Sequence, residues 1–319
     1  MEKLLISRPL PLAVVAVARQ HFDVTLRENT LPMDEAEMVE ALQNYDAVLP
    51  TLGDLFSADI FAKAGAPRAR ILANFGVGYN HIDVAAAKAA GLTVTNTPGA
   101  VTDATADIAL TLMLMSARRA AEGERLVRSG NWQGWHPTQM LGLHMSGKIL
   151  GVIGMGRIGK AIAKRAHYGF GMDVVFYNRS QVADAEVPSG QLVSIAEVMA
   201  AADIVVVAVP GSPATHHMIN AGALGAMQSH AHLINISRGD VVDEAALIAA
   251  LQTGQIGGAG LDVYEHEPEV PEALRALDNV TLLPHLGTAA EEVRTDMGLM
   301  ALDNLAAFFD GKAPGNIVS

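Results

Sequence analysis

A chain of 319 residues implies about two domains at roughly 150 residues each. Half of the residues are hydrophobic and 18% are charged, so sizeable cores form and disorder is excluded as the main state. Lys and Arg number 22 against 34 Asp and Glu, a formal charge of −12, which argues against a broad nucleic-acid or anionic-membrane surface and leaves any anionic ligand to a few local cations. Cysteine is absent, which removes disulfides, thiolate catalysis and cysteine-ligated metals.

No apolar run approaches the ~18 residues of a membrane span. Lys3 and the apolar stretch 10–18 have a trace of an export signal, but Glu2, Arg8, Pro9 and Pro11 interrupt it. A strand at 3–7 followed by a helix at 13–21 is the better reading, and a cytoplasmic location is expected. Short β-branched runs then alternate with alanine-rich amphipathic stretches, the pattern of parallel sheets covered by helices on both faces. Strands are predicted at 47–50, 71–74 and 93–95, and helices near 34–43 and 83–90. One unbroken helix is predicted over 103–129, ending in a loop-like segment around Trp132, Trp135 and Pro137.

A second unit opens with a strand at 148–153 and a helix at 157–168. Strands follow at 173–177, 204–209, 232–236, 260–263 and 280–283, separated by helices at 195–201, 221–227 and 244–251. A last helix, about 289–309, is too small to be a domain and is expected to pack back on the first unit.

Gly154-Met155-Gly156-Arg157-Ile158-Gly159 is a G-x-G-x-x-G placed between a strand and a helix, the context that dinucleotide binding requires. Gly154 allows a tight turn, Gly156 lets backbone approach a pyrophosphate, and Gly159 permits close helix–strand contact. In NAD sites an acidic residue about 20 positions on bonds the ribose 2′-hydroxyl. Tyr177-Asn178-Arg179-Ser180 stands there instead, and a guanidinium with a hydroxyl suits a 2′-phosphate. NADPH is therefore expected over NADH, with NADH still possible.

Ligands of open α/β sheets sit at the carboxyl ends of strands, where three polar residues stand out. Arg238 follows the strand at 232–236 and suits a substrate carboxylate with its adjacent carbonyl oxygen. Glu267 lies in the loop after 260–263, and His285 follows 280–283. A histidine titrates near pH ~6.5 and a neighbouring carboxylate favours its charged form, so Glu267 and His285 are a candidate acid pair. Each residue type also has plain structural uses at a strand end; their joint occurrence on strand exits of the fingerprinted domain favours chemistry. His216 and His217 read as a solvated turn, and His136 and His144 as connector residues. No spacing suggests a metal site.

These motifs resemble the D-specific 2-hydroxyacid dehydrogenases over essentially the whole chain, and most closely the glyoxylate/hydroxypyruvate reductase branch. The resemblance is carried by Asn74-Phe75-Gly76-Val77-Gly78-Tyr79-Asn80-His81-Ile82-Asp83, the glycine-rich segment 151–159, Asn235-Ile236-Ser237-Arg238-Gly239, the segment 260–268 and Pro284-His285-Leu286-Gly287-Thr288. It implies two doubly wound parallel-sheet domains: a Rossmann-type cofactor domain over 99–285 and a discontinuous flavodoxin-like substrate domain made of 1–98 and 286–319.

It further implies that the match to Arg238 binds substrate, the match to His285 is the general acid/base, and the match to Glu267 tunes it. Val77 and Gly78 would give backbone N–H groups to the substrate carboxylate, with Leu52 lining the pocket. Cofactor contacts are implied at Met155, Arg157 and Ile158, at Thr105, Val209, Pro210, Thr215, Ile236 and Ser237, and at Asp262, His285 and Gly287. Trp135 resembles a tryptophan that in the reductase branch reaches the neighbouring subunit's site, so a homodimer is expected. Formate dehydrogenases of this superfamily carry glutamine where Glu267 stands, which disfavours that chemistry. Phosphoglycerate dehydrogenases are commonly NAD-dependent, which the arginine at 179 disfavours. The alternatives left open are a reductase of larger aryl or branched 2-oxo acids, with pocket volume around Leu52, Phe75 and Tyr79 unread, and a dinucleotide-sensing, corepressor-like binding protein.

Overall fold

Buried β-branched runs such as Ile204-Val205-Val206-Val207, wholly inaccessible to solvent, form strands because only a sheet covered on both faces hides such a run completely. The computed structural model describes residues 1–318, which form two units: Met1–Val101 with the segment from Ala289 onward, and Thr102–Thr288.

The first unit contains β1 (Lys3–Ile6), α1 (Leu12–His21), β2 (Asp23–Leu26), α2 (Glu35–Asn44), β3 (Ala47–Leu49), α3 (Ala58–Ala64), β4 (Ile71–Ala73), α4 (Val84–Ala89) and β5 (Thr93–Thr95). Its parallel sheet has the order β2-β1-β3-β4-β5, the flavodoxin-like arrangement. Asp34 starts α2 through a capping box with Glu37. β2 and α3 were not predicted. The edge strand β2 is half-exposed and carries little hydrophobic signal, and α3 is only 7 residues long.

The second unit contains α5 (Thr102–Ala117), α6 (Ala120–Arg128), β6 (Ile149–Ile153), α7 (Arg157–Phe170), β7 (Asp173–Tyr177), β8 (Ser189–Gln191), α8 (Ile195–Ala201) and β9 (Ile204–Val207). It continues with α9 (Ala221–Gly225), β10 (His232–Asn235), α10 (Glu244–Gln252), β11 (Gly258–Leu261), α11 (Glu272–Arg275) and β12 (Val280–Leu282). The parallel sheet runs β12-β11-β10-β9-β6-β7-β8, so strand order reverses between β6 and β9 as in a Rossmann fold. α12 (Glu291–Phe309) closes the first unit against α1 and β4.

Three expectations need correction. The helix predicted over 103–129 is two helices. Arg119 takes a left-handed φ of 53°, and the Ala117 carbonyl accepts from the Leu143 N–H at 2.7 Å instead of continuing the helical ladder. The unit boundaries fall after Val101 and after Thr288 rather than after 98 and 285. Leu286 and Gly287 are tied to the second unit because their N–H groups donate to the Asp262 carboxylate at 2.6 and 2.8 Å, while Thr105 Oγ1 donates to the Gly287 carbonyl. The strand expected at 204–209 stops at Val207. β8 and α11 also escaped prediction, since Ser-Gly-Gln is a strand only through its ladder with β7 and α11 is a single turn.

Candidate active site

The turn from β6 into α7 is built by glycine. Gly154 has φ +102° and a Cβ there would come within 2.7 Å of the Ala208 carbonyl oxygen; at Gly159 it would sit 2.2 Å from the Gly154 oxygen. At Gly156, by contrast, a Cβ would meet nothing within 4 Å. This is open space at the N-terminus of a 14-residue helix, where unpaired N–H groups favour a phosphate. The residues present therefore fit a dinucleotide.

Beyond β7, Asn178 clamps the loop. Its Oδ1 accepts from the Met155 N–H at 3.2 Å and its Nδ2 donates to the Ser180 carbonyl at 2.9 Å. The side chain expected to help bind phosphate is thus already engaged. Arg179 is exposed and forms no ion pair among the described residues. Arg157 is exposed and Ile158 half-buried at the start of α7.

After β9, Val209 is half-buried, Pro210 exposed and Thr215 buried. Thr215 Oγ1 donates to the Pro210 carbonyl at 2.8 Å and accepts the Ser212 N–H at 2.9 Å, closing that turn. After β10, Asn235 is the organiser. Its Oδ1 accepts from the Ser237 N–H and hydroxyl at 3.1 and 2.8 Å, and its Nδ2 donates to the Arg238 carbonyl at 2.9 Å. Sequence reading assigned Asn235 no role; its signal was a carboxamide ending a fully buried strand.

Arg238 donates to the Ser237 carbonyl at 2.7 Å. Its stem lies over Gly211, where a Cβ would come within 2.7 Å of Arg238 Cγ. Burial lowers its pKa, opposed by the charges of Glu267 and Asp240, and a guanidinium stays cationic at working pH even so.

Glu267 uses both oxygens: Oε1 accepts the Tyr264 N–H at 3.0 Å, and Oε2 lies 2.9 Å from His285 Nδ1. Burial pushes the Glu267 carboxyl up, but the bond and charge of His285, the Tyr264 N–H and the charge of Arg238 outweigh it and hold the pKa below its ordinary value. An ionised Glu267 only accepts, so His285 Nδ1 carries a hydrogen and Nε2 is the nitrogen left for a substrate oxygen. Nε2 meets no partner among the described residues.

Asp262 is 1% exposed, and its two oxygens take the Leu286 and Gly287 N–H groups, while its carbonyl accepts the His285 N–H at 2.9 Å. Burial raises its pKa against the pull of those donors and of His285. This carboxylate shapes the turn around His285. Ile236 and Ser237 are buried beside this region.

His216 and His217 lie in a turn as expected, with His216 exposed, but His217 is not simply solvated. It is half-buried, stacks on His216 with ring centroids 3.9 Å apart and pairs with Glu265 at 2.8 Å, bracing the loop that leads to Glu267. His136, His144 and Trp135 are exposed. In the first unit, Leu52 follows β3 and Val77 and Gly78 follow β4, all half-buried at carboxyl ends of strands. No group of His, Asp or Glu among the described residues could hold a metal ion, and no described helix is long and apolar enough to cross a membrane.

Residues 110–287 match the model of the D-isomer specific 2-hydroxyacid dehydrogenase NAD-binding domain. A glyoxylate reductase of Thermococcus onnurineus is 41% identical over 322 residues, covering 99% of this chain and 96% of that protein. The structure of an NADPH-dependent glyoxylate/hydroxypyruvate reductase from Sinorhizobium meliloti, in complex with NADP and malonate, aligns with a TM-score of 0.88 at 34% identity, covering 100% of this chain and 97% of the other. A D-mandelate dehydrogenase from Rhodotorula graminis aligns with a TM-score of 0.86 at 28% identity, covering 100% and 97%. The glycine-rich turn and the acid pair held at strand ends are what such an oxidoreductase needs, and the chain belongs to the D-isomer specific 2-hydroxyacid dehydrogenases, NAD(P)-dependent enzymes acting on the CH–OH group of 2-hydroxy acids.

Proposed function

We propose that this enzyme is an NADPH-preferring reductase of small 2-oxo acids, with glyoxylate and hydroxypyruvate as substrates. The observation that carries the reading is the His285–Glu267 pair at 2.9 Å beside a half-buried Arg238. Its relatives named glyoxylate reductase support the substrate class. Arg238 orients the carboxylate and carbonyl oxygen and stabilises charge developing on that oxygen. The Val77 and Gly78 N–H groups take the carboxylate, and Leu52 bounds the pocket. A bound nicotinamide supplies the hydride. His285 delivers a proton from Nε2 to the developing alkoxide while Glu267 stabilises the imidazolium that precedes the transfer. Having Arg238, Glu267 and His285 together favours catalysis over a purely dinucleotide-sensing role.

NADPH preference rests on the exposed, unengaged Arg179 and on the absence of a carboxylate from residues 177–180. We also read the enzyme as a homodimer, because α6 buries none of its residues and Val127, Trp132, Trp135 and Leu141 are 60%, 50%, 79% and 68% exposed. A panel of 2-oxo acids assayed with both cofactors tests the whole reading. Highest kcat/KM with glyoxylate or hydroxypyruvate and NADPH is expected. Higher values for phenylglyoxylate or branched 2-oxo acids would move the assignment to the larger-substrate alternative, and preference for NADH would remove the cofactor assignment.

A further inference from the structure

The loop that follows β4 is held by side chains rather than by a ladder. Asn74 is 0% exposed, and its Nδ2 donates to the carbonyls of Gly76 and Gly78 at 3.1 and 3.0 Å. With both amide hydrogens committed, Oδ1 is left to accept, and it faces His81 Nε2 at 2.9 Å. His81, 7% exposed, must therefore carry its hydrogen on Nε2. A reversed amide would set the Asn74 oxygen against two carbonyl oxygens. Between them, the Val77 carbonyl accepts from Asn96 Nδ2 at 2.8 Å, and the Gly76 carbonyl also accepts the Thr97 N–H at 3.0 Å.

Three successive carbonyls, those of Gly76, Val77 and Gly78, are thus turned into the unit and satisfied there. The N–H groups of Val77 and Gly78 find no acceptor among the described residues, although both residues are half-buried. Successive open N–H groups form a concavity for an anion, and keeping it open depends on holding the carbonyls down.

We infer that Asn74, locked by His81, and Asn96 are the positioning residues that set the Val77 and Gly78 N–H groups to receive a substrate carboxylate. The inference rests on the reading above, in which that loop meets the 2-oxo acid. Because the carboxylate is bound alike before and during reaction, loosening the loop removes uniform binding and raises KM with little change in kcat.

The test compares His81→Leu, which has no donor, with His81→Gln, whose amide can still donate to Asn74, and with Asn96→Ala. With NADPH saturating, glyoxylate KM should rise about tenfold in His81→Leu and Asn96→Ala, the effect of losing one net hydrogen bond. kcat should stay within about twofold, and His81→Gln should keep the wild-type KM. Calorimetric binding of oxalate to the NADPH-loaded protein should weaken by the same factor, a readout independent of turnover. If His81→Leu does not fold, Asn96→Ala decides on the same measurements. Wild-type turnover with KM and oxalate affinity unchanged in both variants would overturn the inference and leave the functional reading standing. A fall in kcat equal to the KM effect, unrelieved in His81→Gln, would likewise overturn it as general loosening of the fold. Absence of wild-type turnover with any 2-oxo acid would overturn the functional reading and the inference with it.

Discussion

Asp262 dictates the backbone of His285. Both oxygens of the buried carboxylate take the N–H groups of the two residues after His285, and the Asp262 carbonyl takes the His285 N–H. His285 is thereby held at φ +55°, a left-handed conformation that a non-glycine residue adopts only when its surroundings impose it. Glu267 then fixes the ring from the other side. In Asp262→Asn the amide can accept only one of the two N–H bonds and would set an NH2 against the other N–H. kcat should fall by about 10–100-fold through misplacement of the ring, with KM for the cofactor little changed. Steady-state kinetics showing wild-type kcat would mean that the turn holds its shape without this carboxylate.

Removal of the proton donor should be more costly. His285→Gln should lower turnover by about 10²–10⁴-fold, the usual range for a general acid, while NADPH affinity measured by fluorescence stays near wild type. Glu267→Gln removes the negative charge that stabilises the imidazolium, so kcat should fall, though by less than in His285→Gln. Wild-type kcat in Glu267→Gln would exclude Glu267 from supporting the proton donor.

Cofactor choice is expected to rest on Arg179. Its exposure places the effect of Arg179→Ala at the low end for a charge pair, about 10–100-fold weaker NADPH binding, with NADH nearly unaffected. Adding salt should shrink the difference between the two cofactors. Equal kcat/KM ratios for the two cofactors in wild type and variant would take Arg179 out of this role.

His232 carries a stability signature. It is 8% exposed, its Nδ1 lies 2.7 Å from Ser116 Oγ, and burial, with the nearby His230 charge, holds its pKa down at about 4. An unfolded histidine titrates near ~6.5. Between those values the unfolded chain binds the proton and the native state does not, so stability falls as pH drops through that window and levels off below it. The full contribution is roughly 3 kcal/mol. Urea unfolding at pH 7 and pH 4.5 should show wild type losing more stability on acidification than His232→Gln. An identical loss in both proteins would assign the acid sensitivity to other groups.

Assembly can be checked by light scattering at micromolar concentration, where a dimer is expected. Aspartate at Val127 and at Leu141 should shift it toward monomer, because charges would be buried against an apolar partner face. A monomeric wild type would remove the dimer, and with it the expectation that Trp135 approaches a neighbour's substrate pocket.

The sequence by itself determined the class of fold and the chemistry of the second unit. Fully buried strands under parallel crossovers must be continuous apolar runs, and a glycine-rich turn between strand and helix has few other uses, so both are written locally. The strand-end positions of Arg238, Glu267 and His285 followed from the same regularity. What only the tertiary structure decided are relationships between residues far apart in the chain. The helix break at Arg119 depends on Leu143 taking the Ala117 carbonyl, and no local propensity announces a competitor 26 positions away. The Asp262 carboxylate shapes the turn at 286–287, Asn178 is consumed by Met155 and Ser180, and Asn74 is oriented by His81. A carboxylate or carboxamide has several equivalent ways to satisfy its hydrogen bonds, and only the packed neighbours, which cannot be left with buried unpaired groups, select one.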